Sequence, residues 1–525
     1  MRRWEWFFLG ESANHTPAAA LTACTNLLHL SQVLSATSCA ARLWVVTAGA
    51  QAVAEYGVGT NVALTVGGSL WGFGRSLAHE EPRLRTVLVD LDASQSPEEA
   101  QARTLAAELL TGAGGEVAWR GETRFVAQMT PWHGRQAEAE PRDLHPEASY
   151  LITGGLGALG LQVAEQLVAD GARHLVLSSR RNVQTEDQQT ALARLAAAGA
   201  TVEVILADVG DAAAVEMILA RCATLGPLRG IVHAAGILDD GVIAAQNPAR
   251  FAGVMRPKAE GIWHLHQLSA GRELDFFVGF SSLASLMGSA GQSTYAAANG
   301  FVDGLMQLRR AQGLSGLSIN WGPWAEVGMA APLAEQFRRQ GMGMISPAQG
   351  RAIFRHVVRH ADGHVAVMPP IHVASAPLAQ TPTLRADLGQ LPDSERHPWL
   401  IHWLQREIAR ILLLAGPEVV DPQRPLFEMG MDSLMAIELR NRLSTTLDLP
   451  LHATLVFEYP TIESLTPWLL DQFRVSLDGA TTAGPISPQP PTLAKPTLDV
   501  VEEDIADATD AEILAFIDQE FGEVS

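Results

Sequence analysis

The sequence predicts an α/β protein with two Rossmann-like subdomains, followed by an all-α bundle of four helices and a short C-terminal helix. Strand-like and helix-like segments alternate twice, first over 15–135 and again from 149 to about 375, whereas the segment 398–474 reads as helical throughout. At 525 residues the chain is too long for one hydrophobic core. We place the two subdomains, the bundle, a flexible Pro- and Thr-rich linker and the last helix at 1–140, 146–378, 395–475, 476–500 and 501–525.

The first subdomain is predicted from two apolar strands and the helix between them. LWVVTAG (43–49) and RTVLVDLD (85–92) have the composition of buried strands, and residues 62–81 have that of a helix. The turn after the first of these strands, GAQAVAEYG, lacks the GxGxxG spacing. We therefore expect no phosphate site in this half.

The composition excludes several classes of function. A formal net charge of −20 argues against nucleic acid as a partner, because phosphate binding needs a basic surface. Cys24, Cys39 and Cys222 have neither metal-site nor disulfide-framework spacing, so we predict no metal. No apolar run reaches the roughly 18 residues that cross a membrane, and the apolar part of MRRWEWFFLG is too short for a signal peptide. The sequence predicts a cytoplasmic protein without a membrane partner.

The second subdomain opens with a dinucleotide-binding pattern. The strand SYLITGG, which contains Thr153, runs into GLGALG, where Gly155, Gly157 and Gly160 have the GxGxxG spacing. A helix is predicted directly after them, over 161–171. The glycines let the backbone approach a pyrophosphate, and the N-terminus of the helix favours its negative charge.

The ends of the following strands specify the nucleotide further. HLVLSSRR ends in Ser179, Arg180 and Arg181, where a carboxylate would bind a ribose 2′-hydroxyl. Arginines at this place favour a 2′-phosphate, so we predict NADPH as the cofactor rather than NADH. Asp208 follows the third strand, near the expected adenine position. The fourth strand ends in two further predicted cofactor residues, Ala235 and Gly236.

The segments 277–305 and 255–266 resemble the short-chain dehydrogenase/reductase superfamily, and specifically the ketoreductases of modular polyketide synthases. Ordinary members of the superfamily have the pattern Tyr-x-x-x-Lys. This chain has Tyr295 and Asn299 at those positions, and Lys258 lies 37 positions before the tyrosine (295 − 258). That exchange of lysine and asparagine is typical of synthase ketoreductases.

The resemblance implies NADPH-dependent reduction of a β-keto group to a β-hydroxyl. Tyr295 would protonate the carbonyl oxygen, and the Lys258 ammonium would act through the nicotinamide ribose to lower the pKa of the phenol. Ser282, at the position of the family's serine, would donate a hydrogen bond to the same oxygen, with Ser281 as the alternative assignment. Asn299 would position a water molecule or the lysine.

Two further features bear on stereochemistry. Leu238, Asp239 and Asp240 match the LDD motif of B-type ketoreductases. Met287, eight positions before the tyrosine, stands where A-type enzymes have tryptophan. The resemblance therefore implies a D-configured hydroxyl.

The first subdomain resembles the structural half of such ketoreductases, through the stretch LWGFGRSLAHEEPRLRTVLVDLD. The chain has less sequence before LWVVTAG than the family normally has. Two explanations stay open, a missing first strand and a chain that is a fragment of a longer polypeptide.

The segment 424–443 resembles the phosphopantetheine attachment segment of acyl carrier proteins. Ser433 lies in Gly-Met-Asp-Ser-Leu where a helix is predicted to begin, and Ala436, Leu439 and Leu443 recur on its buried face. The positive end of a helix tolerates a phosphodiester. We therefore expect a covalent 4′-phosphopantetheine on Ser433.

These resemblances imply partners and leave alternatives. The expected partners are a carrier-bound β-ketoacyl substrate, upstream ketosynthase and acyltransferase domains, a phosphopantetheinyl transferase and a downstream synthase polypeptide. The acidic segment 501–525 is either the docking element for that polypeptide or a helix that caps the module. The alternatives to the reductase function are an inactive reductase-fold scaffold that presents the carrier and a free-standing dehydrogenase for a small substrate.

Overall fold

The structure is a computed structural model. It describes residues 4–9, 15–36, 41–53, 64–94, 98–111, 115–130, 144–329, 343–361, 363–369, 388–389, 391–412, 414, 416–429, 431, 433–447, 451 and 455–479. No helix within these ranges is both long and apolar enough to cross a membrane.

The first half is built on a five-stranded sheet whose strands follow one another in chain order. β1 to β4 are parallel, and β5 pairs with β4 as an antiparallel hairpin. The strands β1–β5 are Trp4–Leu9, Ala41–Ala48, Val87–Leu91, Glu116–Arg120 and Thr123–Val126. The helices α1–α3 are Pro17–Ala36, Leu64–Glu80 and Glu98–Thr111.

A strand precedes LWVVTAG in this half. It is β1, which pairs in parallel with β2, from Trp4 opposite Ala41 to Leu9 opposite Val46. Its sequence, WEWFFL, hides the strand, because a short apolar run lacks a diagnostic periodicity.

A buried ion pair closes the carboxyl ends of β2 and β3. Asp90 Oδ2 contacts Arg120 at 2.7 Å. The Asp90 carboxylate also accepts the N–H groups of Ala50 at 2.7 Å and Gln51 at 3.0 Å and the Thr47 hydroxyl at 2.8 Å. The turn after β2 therefore directs its amides at a carboxylate of the protein, where a nucleotide-binding half would direct them at a phosphate.

The second half contains a seven-stranded, wholly parallel sheet with the order β12-β11-β10-β9-β6-β7-β8. The strand order reverses between β6 and β9, and such a switch point opens a crevice at the carboxyl edge of the sheet. The strands β6–β12 are Ser149–Thr153, His174–Ser179, Thr201–Leu206, Leu228–His233, Phe276–Ser282, Leu317–Trp321 and Gly363–Val367. The helices α4–α11 are Ala158–Ala169, Glu186–Ala197, Ala212–Leu225, Pro248–Met255, Gly261–Leu268, Leu283–Met287, Ser293–Ala311 and Pro347–His360.

The two halves share one hydrophobic core, in which α2 packs directly against α10. Glycines face the partner backbone on both helices. A Cβ on Gly300 would lie 2.1 Å from the Gly68 carbonyl oxygen, and one on Gly72 would lie 2.3 Å from that of Ala296. The missing side chains let the two helix backbones touch, so the structural half fixes the position of α10.

The C-terminal part of the described chain forms four helices around a separate core. They are α12–α15, at Asp393–Leu412, Ser433–Leu447, Leu455–Glu458 and Ile462–Gly479. Ala436, Leu439 and Leu443 are fully buried, as the helical spacing predicts. α15 continues four residues past the predicted start of the linker, and the predicted helix over 501–525 lies outside the described residues.

Candidate active site

A cleft of about 490 Å³ lies at the switch point of the seven-stranded sheet. Its walls come from the turns that follow β6, β7 and β9, and this volume suits a cofactor-sized ligand. The residues that line it include Gly154, Gly157, Ser179, Arg180, Arg181, Ala234, Ala235, Gly236 and Pro257.

The turn after β6 depends on a glycine that the sequence analysis missed. Gly154 has φ +66°, and a Cβ there would lie 2.9 Å from the backbone of Ala235 on the next wall of the cleft. Gly157 follows as the N-cap of α4. The sequence LITGG contains two adjacent glycines, and this pair could have indicated Gly154. The GxGxxG spacing assigns a role only to the second of them, Gly155.

Three predicted cofactor residues lie behind the cleft wall. Thr153 is fully buried, and its hydroxyl pairs with His233 Nδ1 at 2.8 Å. A Cβ on Gly155 would lie 2.7 Å from that of Leu177, and one on Gly160 would lie only 2.4 Å from a carbonyl oxygen of the turn. These residues shape the turn without lining the cleft.

The arginines predicted to select the nucleotide lie at the rim of the cleft. Arg180 and Arg181 are both exposed, and Ser179 lines the cleft beside them. Asp208 does not line the cleft; its carboxylate pairs with Arg256 at 3.2 Å. Two exposed guanidinium groups at one end of the cleft suit an anionic group such as a 2′-phosphate.

Lys258 and Asn299 form a buried pair next to the cleft. Lys258 lies in a π-helical segment, Arg256–Glu260, between α7 and α8. Its Nζ donates hydrogen bonds to the Phe280 carbonyl at 2.7 Å and to Asn299 Oδ1 at 2.9 Å. Asn299 Nδ2 in turn donates to the carbonyl of Tyr295 at 2.8 Å. The exchange of lysine and asparagine thus brings both side chains together from different elements.

Tyr295 is half-buried on α10, and Lys258 Nζ lies 5.6 Å from the centre of its ring. Burial raises the pKa of Tyr295, and side-chain hydrogen bonds with Asn299 and Ser282 oppose that rise. The expected action of the Lys258 ammonium on this pKa goes through the nicotinamide ribose and stays a prediction. A phenol with a raised pKa keeps its proton near neutral pH and is a hydrogen-bond donor there.

The two adjacent serines have different surroundings. Ser282 is the N-cap of α9 and accepts the Ala284 N–H at 3.2 Å, which leaves its hydroxyl proton to be donated. Ser281 is buried and accepts from Asn320 Nδ2 at 3.0 Å, away from the tyrosine. This geometry favours Ser282 over Ser281 as the serine that faces Tyr295.

A buried carboxylate beneath this group was not predicted from the sequence. Asp303 accepts hydrogen bonds from Ser285 at 2.6 Å, Ser318 at 2.5 Å and Asn320 at 2.9 Å. Burial lowers the pKa of Lys258 to about 8, and the negative charge of Asp303 opposes that shift. Asp303 therefore helps to keep the lysine protonated.

The LDD motif lies in a loop with fixed polar contacts. Asp239 forms a bidentate ion pair with Arg250, at 2.6 and 2.9 Å. Asp240 Oδ2 accepts from Gln292 Nε2 at 2.9 Å, which joins this loop to the one that leads into α10. Leu238 is half-buried.

The C-terminal end of α2 supports both of these loops. His79 Nε2 lies 2.7 Å from the carbonyl oxygen of Met287, whose own side chain is largely exposed. The buried Glu80 carboxylate accepts the N–H groups of Ile243 and, at 3.0 Å, of Gly291. Burial raises the pKa of Glu80 to about 7, and these backbone hydrogen bonds oppose the shift.

Comparison with known proteins assigns three segments of the chain. Residues 148–326 match the KR domain family and residues 402–469 match the phosphopantetheine attachment site. Residues 4–129 match the Rossmann fold domain of the polyketide synthase extender module SpnB.

Solved structures agree with this assignment. An A1-type ketoreductase is 32% identical, with a TM-score of 0.60, over 66% of this chain and 72% of that one. The first ketoreductase of the tylosin polyketide synthase is 35% identical, with a TM-score of 0.56, over 66% and 74%. The chain belongs to the ketoreductases of modular polyketide synthases.

This ketoreductase is an NADP-dependent oxidoreductase joined to a carrier domain. The KR domain implies NADPH, and the attachment site implies a covalent phosphopantetheine. Among curated relatives, polyketide synthase GfsB of Streptomyces halstedii is 36% identical over 91% of this chain and 9% of its own length. The spectinabilin polyketide synthase protein NorB of Streptomyces orinoci is 37% identical over 71% of this chain and 18% of its own. The chain thus spans less than a fifth of either relative.

Proposed function

We propose that this ketoreductase reduces the β-keto group of an acyl chain tethered to its own carrier domain, and that the product is a β-hydroxyacyl thioester on the same arm. One observation carries the proposal: Tyr295, Ser282 and the Lys258–Asn299 pair meet beside the cleft at the switch point of the sheet. When bound, NADPH supplies the hydride that adds to the carbonyl carbon.

The protein's own groups handle the charge that develops on the carbonyl oxygen. Tyr295 keeps its proton because burial raises the pKa of its phenol, and it donates that proton to the oxygen. The Ser282 hydroxyl donates a second hydrogen bond to the same oxygen. Lys258, held by Phe280 and Asn299, places a positive charge close to the tyrosine ring, which favours transient formation of the phenolate.

The residues of the cleft rim select the cofactor. Arg180 and Arg181 would hold the 2′-phosphate of NADPH, and the Gly154–Gly157 turn at the start of α4 would hold the pyrophosphate. Gly236 leaves room for the Lys258 side chain, because a Cβ there would lie 2.9 Å from Lys258 Cε.

We further propose B-type facial choice, with a D-configured hydroxyl. The assignment rests on Leu238, Asp239 and Asp240 and on Met287 in place of tryptophan. The loop that carries these aspartates is tied to the loop before Tyr295 through Gln292. Its position beside the tyrosine supports a role in orienting the substrate. The similarity to an A1-type ketoreductase concerns the fold.

The assembly-line context is also a proposal. The chain would receive its ketide from upstream ketosynthase and acyltransferase domains and would be modified at Ser433 by a phosphopantetheinyl transferase. Ser433 is the first residue of α13, where the positive end of the helix suits a phosphodiester. The segment 501–525 would contact the downstream synthase polypeptide.

One experiment tests the reductase function. The chain is modified at Ser433, loaded with a β-ketoacyl group and mixed with NADPH, while NADPH absorbance and intact mass are followed together. We expect loss of NADPH and a gain of two hydrogens on the carrier, with neither change in Tyr295→Phe. Chiral analysis of the released acid tests the D configuration. Attachment of the arm without reduction would refute the function and favour the inactive scaffold.

A further inference from the structure

A buried arginine of the carrier domain contacts the catalytic unit. Arg440 lies on α13, and its side chain is only 1% exposed. Its Nη2 donates hydrogen bonds to the carbonyl oxygens of Glu80 at 2.7 Å and His79 at 3.3 Å. These two residues are the last of α2, the helix of the structural half that packs against α10.

The end of α2 has the chemistry that recognises a guanidinium group. The last carbonyls of a helix lack partners within the helix and carry partial negative charge. Burial lowers the pKa of Arg440, and the nearby carboxylates of Glu81 and Glu80 oppose that shift. A cation that caps a helix C-terminus satisfies those carbonyls, and an arginine satisfies two at once.

The same helix end lies next to the substrate-side loops of the active site. The His79 ring contacts the carbonyl of Met287, and the Glu80 carboxylate accepts the N–H of Gly291, four positions before Tyr295. Glu80 therefore contacts the carrier through its backbone and the active-site loop through its side chain. A carrier bound here lies beside the loop that leads into the catalytic helix.

The attachment point of the arm lies on the same face of α13 as this arginine. Ser433 and Arg440 are seven positions apart, which is about two helical turns, or about 10 Å along the axis. The contact of Arg440 with α2 therefore lies about two helical turns from the attachment residue.

We propose that the C-terminal end of α2 is the docking site for the chain's own carrier domain during reduction, with Arg440 as the positioning residue. This inference rests on the proposed reduction of a carrier-bound substrate. It assigns the recognition of the carrier to the structural half of the ketoreductase.

The test compares two substrates in the full-length chain. One is a β-ketoacyl group on the phosphopantetheine arm, reduced in a single turnover with excess NADPH. The other is the same acyl group as a diffusible N-acetylcysteamine thioester. We expect Arg440→Gln to slow the tethered reaction about tenfold or more, as for loss of a charged hydrogen bond, and to leave the diffusible reaction within about twofold. Arg440→Lys, which keeps one donor, should restore part of the tethered rate.

Arg442→Gln is the matched control. Arg442 lies two positions further along α13 and pairs with Glu407 inside the carrier domain, at 3.1 Å. This variant removes the same charge at a residue whose ion pair lies inside the carrier domain, so both rates should stay as in the unchanged protein. Intact mass after modification at Ser433 verifies that each variant carrier is folded and accepts the arm.

Each outcome is decisive. An unchanged tethered rate in Arg440→Gln would overturn the docking site, and so would an equal slowing of both substrates, since that marks a purely structural role. If the protein without any substitution reduces neither substrate, the proposed function itself is refuted. A protein that reduces only the diffusible thioester would retain the reductase and refute productive docking.

Discussion

The substitution Gly300→Ala tests whether the packing of α2 against α10 positions the catalytic residues. Gly300 directly follows Asn299 on α10, and its backbone touches that of Gly68 on α2. An added Cβ would lie 2.1 Å from the Gly68 carbonyl oxygen, whereas real contacts of this kind are essentially never shorter than 3.0 Å. The two helices must separate by about 0.9 Å (3.0 − 2.1) at this point.

Two opposing effects determine how much Gly300→Ala changes the stability of the protein. Overpacking in a core costs about 1–3 kcal/mol, and alanine regains about 0.5–1 kcal/mol of helix propensity over glycine. The net loss in the free energy of unfolding is therefore about 0–2.5 kcal/mol. The effect on catalysis is larger, because a displacement of about 1 Å in a reactive group can lower the rate about a hundredfold.

The assay measures NADPH oxidation with the diffusible thioester, together with thermal unfolding. Gly253→Ala is the matched control, because it makes the same change in the exposed part of α7, where a Cβ would meet nothing within 4 Å. We expect this control to keep its activity and to be slightly stabilised. Gly68→Ala, which approaches the same contact from α2 with a Cβ 2.3 Å from the Gly300 carbonyl oxygen, should reproduce the loss without changing the catalytic helix.

Positioning of the catalytic residues by α2 is refuted if Gly300→Ala keeps both its melting temperature and its kcat, since the helices would then tolerate separation. It is also refuted if Gly253→Ala loses as much activity as Gly300→Ala, because the effect would then not depend on the contact with α2.

Three further predictions concern charge. The rate of reduction should fall as the pH rises through about 8, because burial lowers the pKa of Lys258 to that value and the ammonium is lost above it. A pH profile of kcat/KM measures this fall, and a flat profile up to pH 9 would contradict the prediction. Asp303→Asn should shift this alkaline fall in rate to lower pH, since the negative charge of Asp303 favours the Lys258 ammonium. An unchanged pH profile would show that Asp303 does not stabilise the ammonium. The double variant Arg180→Ala/Arg181→Ala should raise the KM for NADPH about ten- to a hundredfold and leave the KM for NADH unchanged. Steady-state kinetics with both cofactors measures this. An equal rise in both KM values would show that the arginines bind no 2′-phosphate.

The sequence predicts those parts of the site that depend on local patterns. The turn after β6 and the arginines after β7 follow directly on apolar strands, so their place at the sheet edge could be read from spacing. Gly154 escaped that reading, because only its positive φ and its approach to Ala235 distinguish it from Gly155. The family spacing placed Lys258 next to Asn299, a contact between distant segments that periodicity does not predict.

The remaining contacts could not be predicted, because they join elements that are far apart in the chain. Asp303 meets Ser318 and Asn320 only once α10 lies across β11. Glu80 reads as a surface carboxylate at the end of a helix, and nothing local indicates that it is buried against Gly291. The strand β1 was uncertain for a different reason, since a short apolar run fits several structures.

The structural half is best understood as a support for the active site. In the turn after β2, the amides of Ala50 and Gln51 donate their hydrogen bonds to Asp90. Its helix α2 contacts three different parts of the protein. It touches the backbone of α10, and its His79 and Glu80 side chains contact the backbone of Met287 and Gly291. Its last carbonyls accept hydrogen bonds from Arg440 of the carrier. These contacts lie on one rigid element, so a shift of α2 would move the docked carrier and the loop before Tyr295 together. Because the backbone of α10 also touches α2, a carrier docked through Arg440 would keep its distance from Tyr295 when α2 and α10 shift together.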